Sequence, residues 1–177
     1  SEQPAAEAAD PNAPPKPKAK KELVVGSVEK KVSLLEMLSK KASLPSKTQL
    51  LAAEKSGALV TQLSERNSLV RAEFSSFASD VNDAALGAFG NIKNNISHLD
   101  ISRTKVSDVG LRAAGSMPNL TWLSARNTIV SDNGLKSLSS LQYLSYLNLS
   151  GTKVSDKGLQ TLSTFKSLKE IYLWGSE

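Results

Sequence analysis

Apolar residues in the second half of the chain recur in a fixed order with a period of 24 residues. Each unit begins with the spelling L-x-x-L-x-L, in which the last two apolar residues, separated by one polar residue, indicate the buried face of a short strand. These apolar residues are Ile96, Leu99 and Ile101; Leu120, Leu123 and Ala125; Leu144, Leu147 and Leu149; and Leu168, Ile171 and Leu173. A constant period of this size is typical of solenoids, in which successive coils share one apolar interior.

A repeated eight-residue phrase follows the strand of each complete unit. It reads TKVSDVGL, TIVSDNGL and TKVSDKGL and begins at Thr104, Thr128 and Thr152. Apolar residues after its final leucine step by three, which suits one side of a short helix. Each unit therefore predicts strand, turn and helix. The fold class is α/β, with short parallel strands on the concave side of a solenoid and short helices on its convex side.

The polar residues of this phrase are predicted to have structural roles. Serine and aspartate accept hydrogen bonds from the free N–H groups of a starting helix, so each Ser-Asp pair is interpreted as a helix cap. Three identical copies argue against a catalytic role. The phrase glycine is expected where a side chain would collide with the neighbouring coil. The threonine hydroxyls are expected to bond backbone groups of the adjacent coil, as a ladder.

Changes in composition divide the chain into four regions. They are a disordered Ala/Pro/Lys tether at 1–21, an amphipathic helical linker at 22–45, an N-terminal cap with an irregular first repeat at 46–95, and the regular repeats at 96–177. A segment as poor in large apolar residues as the tether cannot offset its ordering entropy. Its lysines at 16–21 also suit contact with an anionic membrane surface.

The linker and the cap carry more specific signals. One helical face of the linker gathers the apolar residues Val28, Val32, Leu35 and Leu38. This face predicts docking, either on the chain's own domain or on a partner. Ser46 and Gln49 form a capping box that predicts a short helix, which Gly57 ends. The alternating segments Ala58–Leu63 and Leu69–Phe74 predict two strands.

Charge and composition exclude several function classes. The net charge is +5, but nine of the 22 basic residues lie between Lys16 and Lys47. A nucleic-acid interface needs basic residues gathered on a folded face, so no nucleic-acid partner is predicted. The chain has no cysteine, which excludes disulfides, thiolate metal sites and covalent haem attachment. No cofactor is predicted.

Residues that alternate with the buried leucines are predicted to face outward from the concave sheet. They are His98, Asp100 and Ser102; Trp122, Ser124 and Arg126; Tyr146, Asn148 and Ser150; and Glu170, Tyr172 and Trp174. Aromatic residues and arginine are the usual anchors of binding interfaces, so this face is predicted to bind a partner. The alternative is that Trp122 and Tyr146 pack against each other along a row.

An enzymatic site is not predicted. His98 and Asp100 share one face, and such a pair suits acid–base chemistry or half of a metal site. Neither a nucleophile nor a third ligand accompanies them in the sequence. A surface contact role is the better interpretation.

The units at 96–177 resemble the leucine-rich repeat consensus, in the variety whose helix opens with Thr/Ser-Asp-x-Gly-Leu, known from the cysteine-containing subclass. A weaker unit, FASDVNDAALGAFGNI, lies upstream, with Asp83 in the aspartate place. The segments KSGALVTQLSERNSLVRAEF and IYLWGSE, with the units between them, resemble the C-terminal region of bacterial membrane proteins that carry a planctomycete-type cytochrome c domain.

This resemblance implies a noncatalytic protein-binding module of an extracytoplasmic, periplasmic assembly that is membrane-associated or respiratory and cytochrome-linked. Its partner would be a protein, or a glycan, held on the concave face. The alternative is a structural accessory subunit anchored by its N-terminal segment. The chain has no haem motif, so the resemblance implies no electron transfer by the chain itself. Its C-terminal edge, EIYLWGSE, predicts dimerisation by strand pairing.

Overall fold

One continuous sheet organises the protein, whose computed structural model describes residues 34–65, 67–74 and 80–177. The strands of this sheet are β1 Ala58–Gln62, β2 Val70–Phe74, β3 Ile96–Asp100, β4 Trp122–Ser124, β5 Tyr146–Asn148 and β6 Glu170–Tyr172. They lie side by side in chain order. The first two strands pair antiparallel, and each later pair is parallel.

Short helices connect the parallel strands. The described helices are α1 at 34–39, α2 Lys47–Glu54, α3 Asp83–Gly87, α4 Asp108–Gly115, α5 Asp132–Lys136 and α6 Asp156–Leu162, with a 3₁₀ turn at Gly90–Ile92. This alternation confirms the predicted α/β solenoid. No helix in the described part of the chain has the length and apolar character needed to cross a bilayer.

The predicted cap is an antiparallel hairpin with one helix. In the capping box that opens α2, Ser46 Oγ accepts the N–H of Gln49 at 3.2 Å and the Ser46 N–H donates to Gln49 Oε1 at 2.9 Å. Gly57 follows α2 with a φ of +89°, a left-handed conformation that glycine adopts easily. Both predicted strands are present as β1 and β2.

Aliphatic residues of neighbouring coils form one shared interior. Leu99, Leu123 and Leu147 pair directly across the parallel strands and are fully buried. The predicted register, with leucines inside, is therefore confirmed. In the last unit Ile171 and Leu173 are only partly buried, because no described coil covers their outer side.

Each repeat helix begins at the serine predicted to cap it. Ser107, Ser131 and Ser155 accept the N–H two residues further on, at 3.2, 3.4 and 3.3 Å. The aspartate beside the serine acts differently from the prediction. Its carboxylate accepts hydrogen bonds from the serine of the next repeat, so it caps the following helix rather than its own.

We call Asp83, Asp108 and Asp132 the aspartate spine. The carboxylate of Asp83 accepts the N–H of Ser107 at 2.8 Å and its hydroxyl at 2.6 Å. The matching bonds are 2.7 and 2.6 Å from Ser131 to Asp108, and 2.8 and 2.8 Å from Ser155 to Asp132. The spine joins successive coils on the convex side.

The glycine of each repeated phrase makes room for the spine. A side chain there would collide with the neighbouring coil, as predicted. A Cβ on Gly110 would lie 2.6 Å from Oδ1 of Asp83, and one on Gly134 would lie 2.5 Å from Oδ1 of Asp108. Glycine at this place also lets its own N–H approach the carboxylate, and the Gly110 N–H donates to Asp83 at 2.9 Å. The glycine and the aspartate therefore act together to join neighbouring coils.

Hydrogen bonding also favours the ionised form of one spine residue, Asp132. The backbone N–H of Ser155 lowers the pKa of Asp132 below its ordinary value; burial opposes the shift, and the Ser155 hydroxyl, the Gly158 N–H and Lys136 reinforce it. Stability from these bonds is present above the ordinary pKa of an aspartate. It is lost as the pH falls through the lowered pKa of Asp132.

The expected threonine ladder between coils is wrong. The hydroxyls of Thr104, Thr128 and Thr152 donate to the carbonyl three residues earlier in the same coil, at 2.7, 2.7 and 2.6 Å. The turn after each strand folds the threonine back over the carbonyl of the residue that follows the strand. Carbonyl groups of the adjacent coil already accept hydrogen bonds from N–H groups near the strand ends, such as those of Ile101 and Arg103.

The described half of the predicted linker docks on the chain's own domain. Leu38 of α1 is fully buried. The Ser68 hydroxyl donates to the Ser39 carbonyl at 2.6 Å, and Lys41 Nζ donates to the Tyr143 hydroxyl at 2.8 Å. The tether at 1–21 and the rest of the linker, with Val28 and Val32, lie outside the described residues.

We expect Asp132→Ala to lower the free energy of unfolding by about 1–2 kcal/mol, because it removes charge-assisted hydrogen bonds between coils. Asp156→Ala is the matched control. Asp156 also opens a repeat helix, but within the described chain its carboxylate receives no hydrogen bond, so its loss is expected to stay within about 0.5 kcal/mol. Urea denaturation of both variants at pH 7 measures the difference. Equal losses would contradict an inter-coil role for the spine.

Candidate binding surface on the concave face

Strand register arranges the outward side chains in rows across the sheet. One row contains Arg71, His98, Trp122, Tyr146 and Glu170, and the next contains Glu73, Asp100, Ser124, Asn148 and Tyr172. The predicted outward positions therefore share the concave face, opposite the buried leucines. The cap strand β2 extends this face with two charged residues that the sequence reading did not include.

Aromatic rings stack along the first row. The ring centroids of His98 and Trp122 are 6.2 Å apart at 24°, and those of Trp122 and Tyr146 are 4.7 Å apart at 11°. Tyr146 meets Tyr172 diagonally, at 5.4 Å and 40°. We call these four residues the aromatic ladder. The alternative of packing along a row is thus observed, and Trp122 and Tyr146 still keep part of their surface exposed.

The predicted contact residues differ in accessibility. Trp174 is 88% exposed and Tyr172 is 47% exposed, and Glu170 is also exposed. The half-buried ones are His98, Asp100, Trp122, Arg126, Tyr146 and Asn148.

Ser124 differs from the prediction that it is an exposed contact residue. It is only 5% exposed, and its hydroxyl lies 2.8 Å from that of Ser102. It is a short side chain in a row between the longer Asp100 and Asn148, so it does not offer an open contact. The outward position Ser150 is likewise buried, at 8% exposure.

Two polar residues of the second row shape the strand ends. Asp100 Oδ1 accepts the N–H of Ser102 at 2.9 Å, and Asn148 Oδ1 accepts the N–H of Ser150 at 3.0 Å. These turns occupy one oxygen of each side chain. His98 Nδ1 pairs with Ser97 Oγ at 2.9 Å rather than with Asp100, so the structure does not form the His–Asp dyad. Among the described residues, no group of three acidic or histidine side chains is arranged for a metal ion.

Helix α1 forms one wall of the concave groove. Leu34 and Leu35 face Trp122 and Tyr146 across a cavity of about 250 Å³. The remaining lining residues are His98, Thr121, Ser145, Lys169 and Glu170. Sequence reasoning placed Leu35 on a docking face but could not identify the surface that it covers. The alternation of apolar and polar residues in Leu69–Phe74 places Arg71 on the exposed face of β2. The sequence analysis did not include Arg71 among the contact residues.

Burial and a nearby cation keep His98 neutral. Burial, together with the positive charge of Arg71, lowers the pKa of His98 from 6.5 to about 4. Arg71, Glu73 and Asp100 line one cleft with His98 and Trp122. A ring that stays uncharged at neutral pH stacks on the indole without the desolvation cost of an imidazolium.

We expect acid to destabilise the fold through His98. Since its folded pKa lies below the unfolded value, stability falls as the pH drops from 6.5 towards about 4. The full shift corresponds to about 3 kcal/mol, which solvent screening of a half-exposed ring reduces to about 1–2 kcal/mol. Urea denaturation at pH 7 and pH 4 should show this extra loss in the natural chain and not in His98→Gln.

A direct titration controls this experiment. The chain has a single histidine, so its ring resonance in an NMR titration is unambiguous. The midpoint should lie near 4 and rise in Arg71→Gln, whereas Arg112→Gln on the convex side should leave it unchanged. A midpoint near 6.5 in the natural chain would show that the ring is not desolvated.

One comparison with known proteins, a family model, agrees with this architecture. The family model described as "Leucine Rich repeat" matches residues 93–113 and 140–163. A search of curated proteins finds no match. Among solved structures, the chain is similar to the leucine-rich repeat ectodomain of the receptor kinase SOBIR1 from Arabidopsis thaliana. That similarity has 16% identity and a TM-score of 0.39, and covers 76% of this chain and 96% of the other. The matched segments, the repeated units and the sheet topology make this chain an α/β solenoid of the leucine-rich repeat type.

Proposed function

We propose that the chain is a noncatalytic module that binds a protein partner on its concave face. Leucine-rich repeat domains commonly bind proteins and generally act as interaction scaffolds rather than enzymes. The observation that carries the proposal is the aromatic ladder, which lies on the open side of the sheet with charged residues at both ends. Such rings bury much area on binding at a low cost in side-chain entropy.

The geometry of the ladder favours a protein over a glycan. Sugar rings bind aromatic side chains by stacking on an open ring face. The facing surfaces of Trp122 and Tyr146 are occupied by each other, at 4.7 Å. This stacked pair therefore has no open ring face between its two members, and the apolar wall of α1 and the charged groups beside it suit the side chains of a peptide segment.

The alternative of an accessory subunit anchored by its N-terminal segment has less support. The described part of the linker uses Leu38 and its polar neighbours to dock on the chain's own cap. An anchor would therefore use residues before 34. The proposed setting, an extracytoplasmic membrane-associated or cytochrome-linked assembly, is supported by the sequence resemblance alone.

The experiment compares two double variants in a pull-down from cells that express the chain. Trp122→Ala with Tyr146→Ala should abolish capture of a specific partner and cost about 1–3 kcal/mol in stability, because stacked pairs are lost. Val109→Ala with Ile129→Ala removes two exposed apolar side chains away from the concave face and should leave capture unchanged. Circular dichroism verifies folding of both. Undiminished capture by the concave variant would refute the proposal.

A second copy of the chain is also proposed to pair along β6, whose outer edge has no strand partner among the described residues. Sedimentation equilibrium should give a dimer mass, and Tyr172→Lys should weaken the dimer, because a lysine on an edge strand opposes pairing with another chain. Val109→Lys, with an exposed side chain away from this edge, should leave the dimer unchanged. A monomer mass at all concentrations would reject pairing along β6.

A further inference from the structure

The turn after each repeat strand contains one residue with a left-handed backbone. The four equivalent residues are Arg103, Asn127, Gly151 and Gly175, with φ values of 61°, 55°, 68° and 70°. Glycine adopts this conformation freely and asparagine tolerates it, whereas arginine loses free energy there. Backbone strain that is kept in one copy of a repeat, where other copies avoid it, points to a functional demand on that side chain.

The strained arginine lies beside a second arginine. Its N–H donates to the carbonyl of Arg126 at 2.8 Å, so the two residues occupy neighbouring coils at the same level. Both line a cleft of about 320 Å³ at the carboxyl ends of the parallel strands. Trp122 and Asn148 also line this cleft, so it continues the concave face.

Neither guanidinium has an acidic partner in the described part of the chain. The ion pair in the described part of the chain joins Lys105 and Asp80 at 3.1 Å, and neither residue lines the cleft. Asp100 lines the cleft, but one of its oxygens already accepts the N–H of Ser102. Two arginines therefore face one carboxylate, and the cleft has an excess of positive charge.

We propose that Arg103 and Arg126 together bind the carboxylate of an acidic side chain on the protein partner. This inference rests on the proposed function and names the chemistry that the partner must present. A guanidinium offers planar paired donors that match a carboxylate, and two adjacent arginines can share its two oxygens. Asp100 favours a singly charged carboxylate over a phosphate, because it repels a doubly charged group more strongly.

The first test measures binding of a defined probe to the full chain. A capped peptide, acetyl-Gly-Glu-Glu-Gly-amide, is titrated into ¹⁵N-labelled protein while the arginine Nε–H resonances are followed by NMR. The Nε–H resonances of Arg103 and Arg126 should shift together with one dissociation constant. A control peptide in which both glutamates are replaced by glutamine should bind at least about tenfold more weakly.

Single variants then assign the site. Arg103→Gln and Arg126→Gln should each weaken binding of the glutamate peptide by at least about tenfold, since each removes charge-assisted hydrogen bonds. Arg112→Gln is the matched control, because it removes an exposed arginine of α4 on the convex side and should leave the affinity unchanged. Equal binding of the glutamate and glutamine peptides, or tighter binding of inorganic phosphate than of the glutamate peptide, would overturn the proposal.

A third variant separates a binding role from a structural one. Arg103→Gly adopts the left-handed turn without strain, so it should lose the glutamate peptide while its Tm stays equal or rises by about 2–4 °C. A Tm lower by several degrees would show that Arg103 supports the fold instead. The peptide assay needs no natural partner. Its failure would therefore leave capture through Trp122 and Tyr146 intact, whereas loss of that capture alone would refute only the broader function.

Discussion

Hydrogen bonds from each helix start to the carboxylate of the preceding coil fix how the repeats stack, and the concave face depends on that stacking. On the convex side the spacing is set by the bond from a serine to an aspartate and by a glycine that admits the carboxylate. On the concave side it is set by the sheet, whose strands lie about 4.8 Å apart. Trp122 and Tyr146 stack at 4.7 Å because flat rings fit this strand spacing.

The groove has different chemistry at its two ends. Near the start of the strands, Leu34 and Leu35 close an apolar cavity against the ladder. Near the strand ends, Arg103 and Arg126 make the surface cationic. An extended peptide that runs along the strands would turn toward the groove an apolar and an acidic side chain that lie an even number of residues apart, because successive side chains alternate between its two faces. Direction of binding would then follow from the order of these two residues in the partner.

Much of the fold was predictable because its information is local and repeated. The spelling L-x-x-L-x-L fixes which side chains face inward, and Ser46 with Gln49 fixes where α2 begins. The partner of Asp108 was not predictable, because spacing along one coil does not say which polar group of the next coil lies within reach. Thr104 was expected to bond the next coil, but the turn after its strand brings the carbonyl of Ile101 within reach of its hydroxyl. The burial of Ser124, which lies in the predicted row, was missed for a related reason, since the accessibility of a small side chain depends on the longer neighbours in its row.

The aspartate spine also has a direction, because the aspartate of each coil accepts hydrogen bonds from the following coil, while the serine of that coil donates to the preceding one. Removing or duplicating a whole internal unit leaves each spine aspartate matched to the serine of the following coil, whereas a partial insertion leaves a carboxylate and a helix start without their counterparts. Gene duplication in steps of one unit is therefore structurally neutral at the joints. The length of such a solenoid can change by natural selection on its binding surface without a new solution to folding.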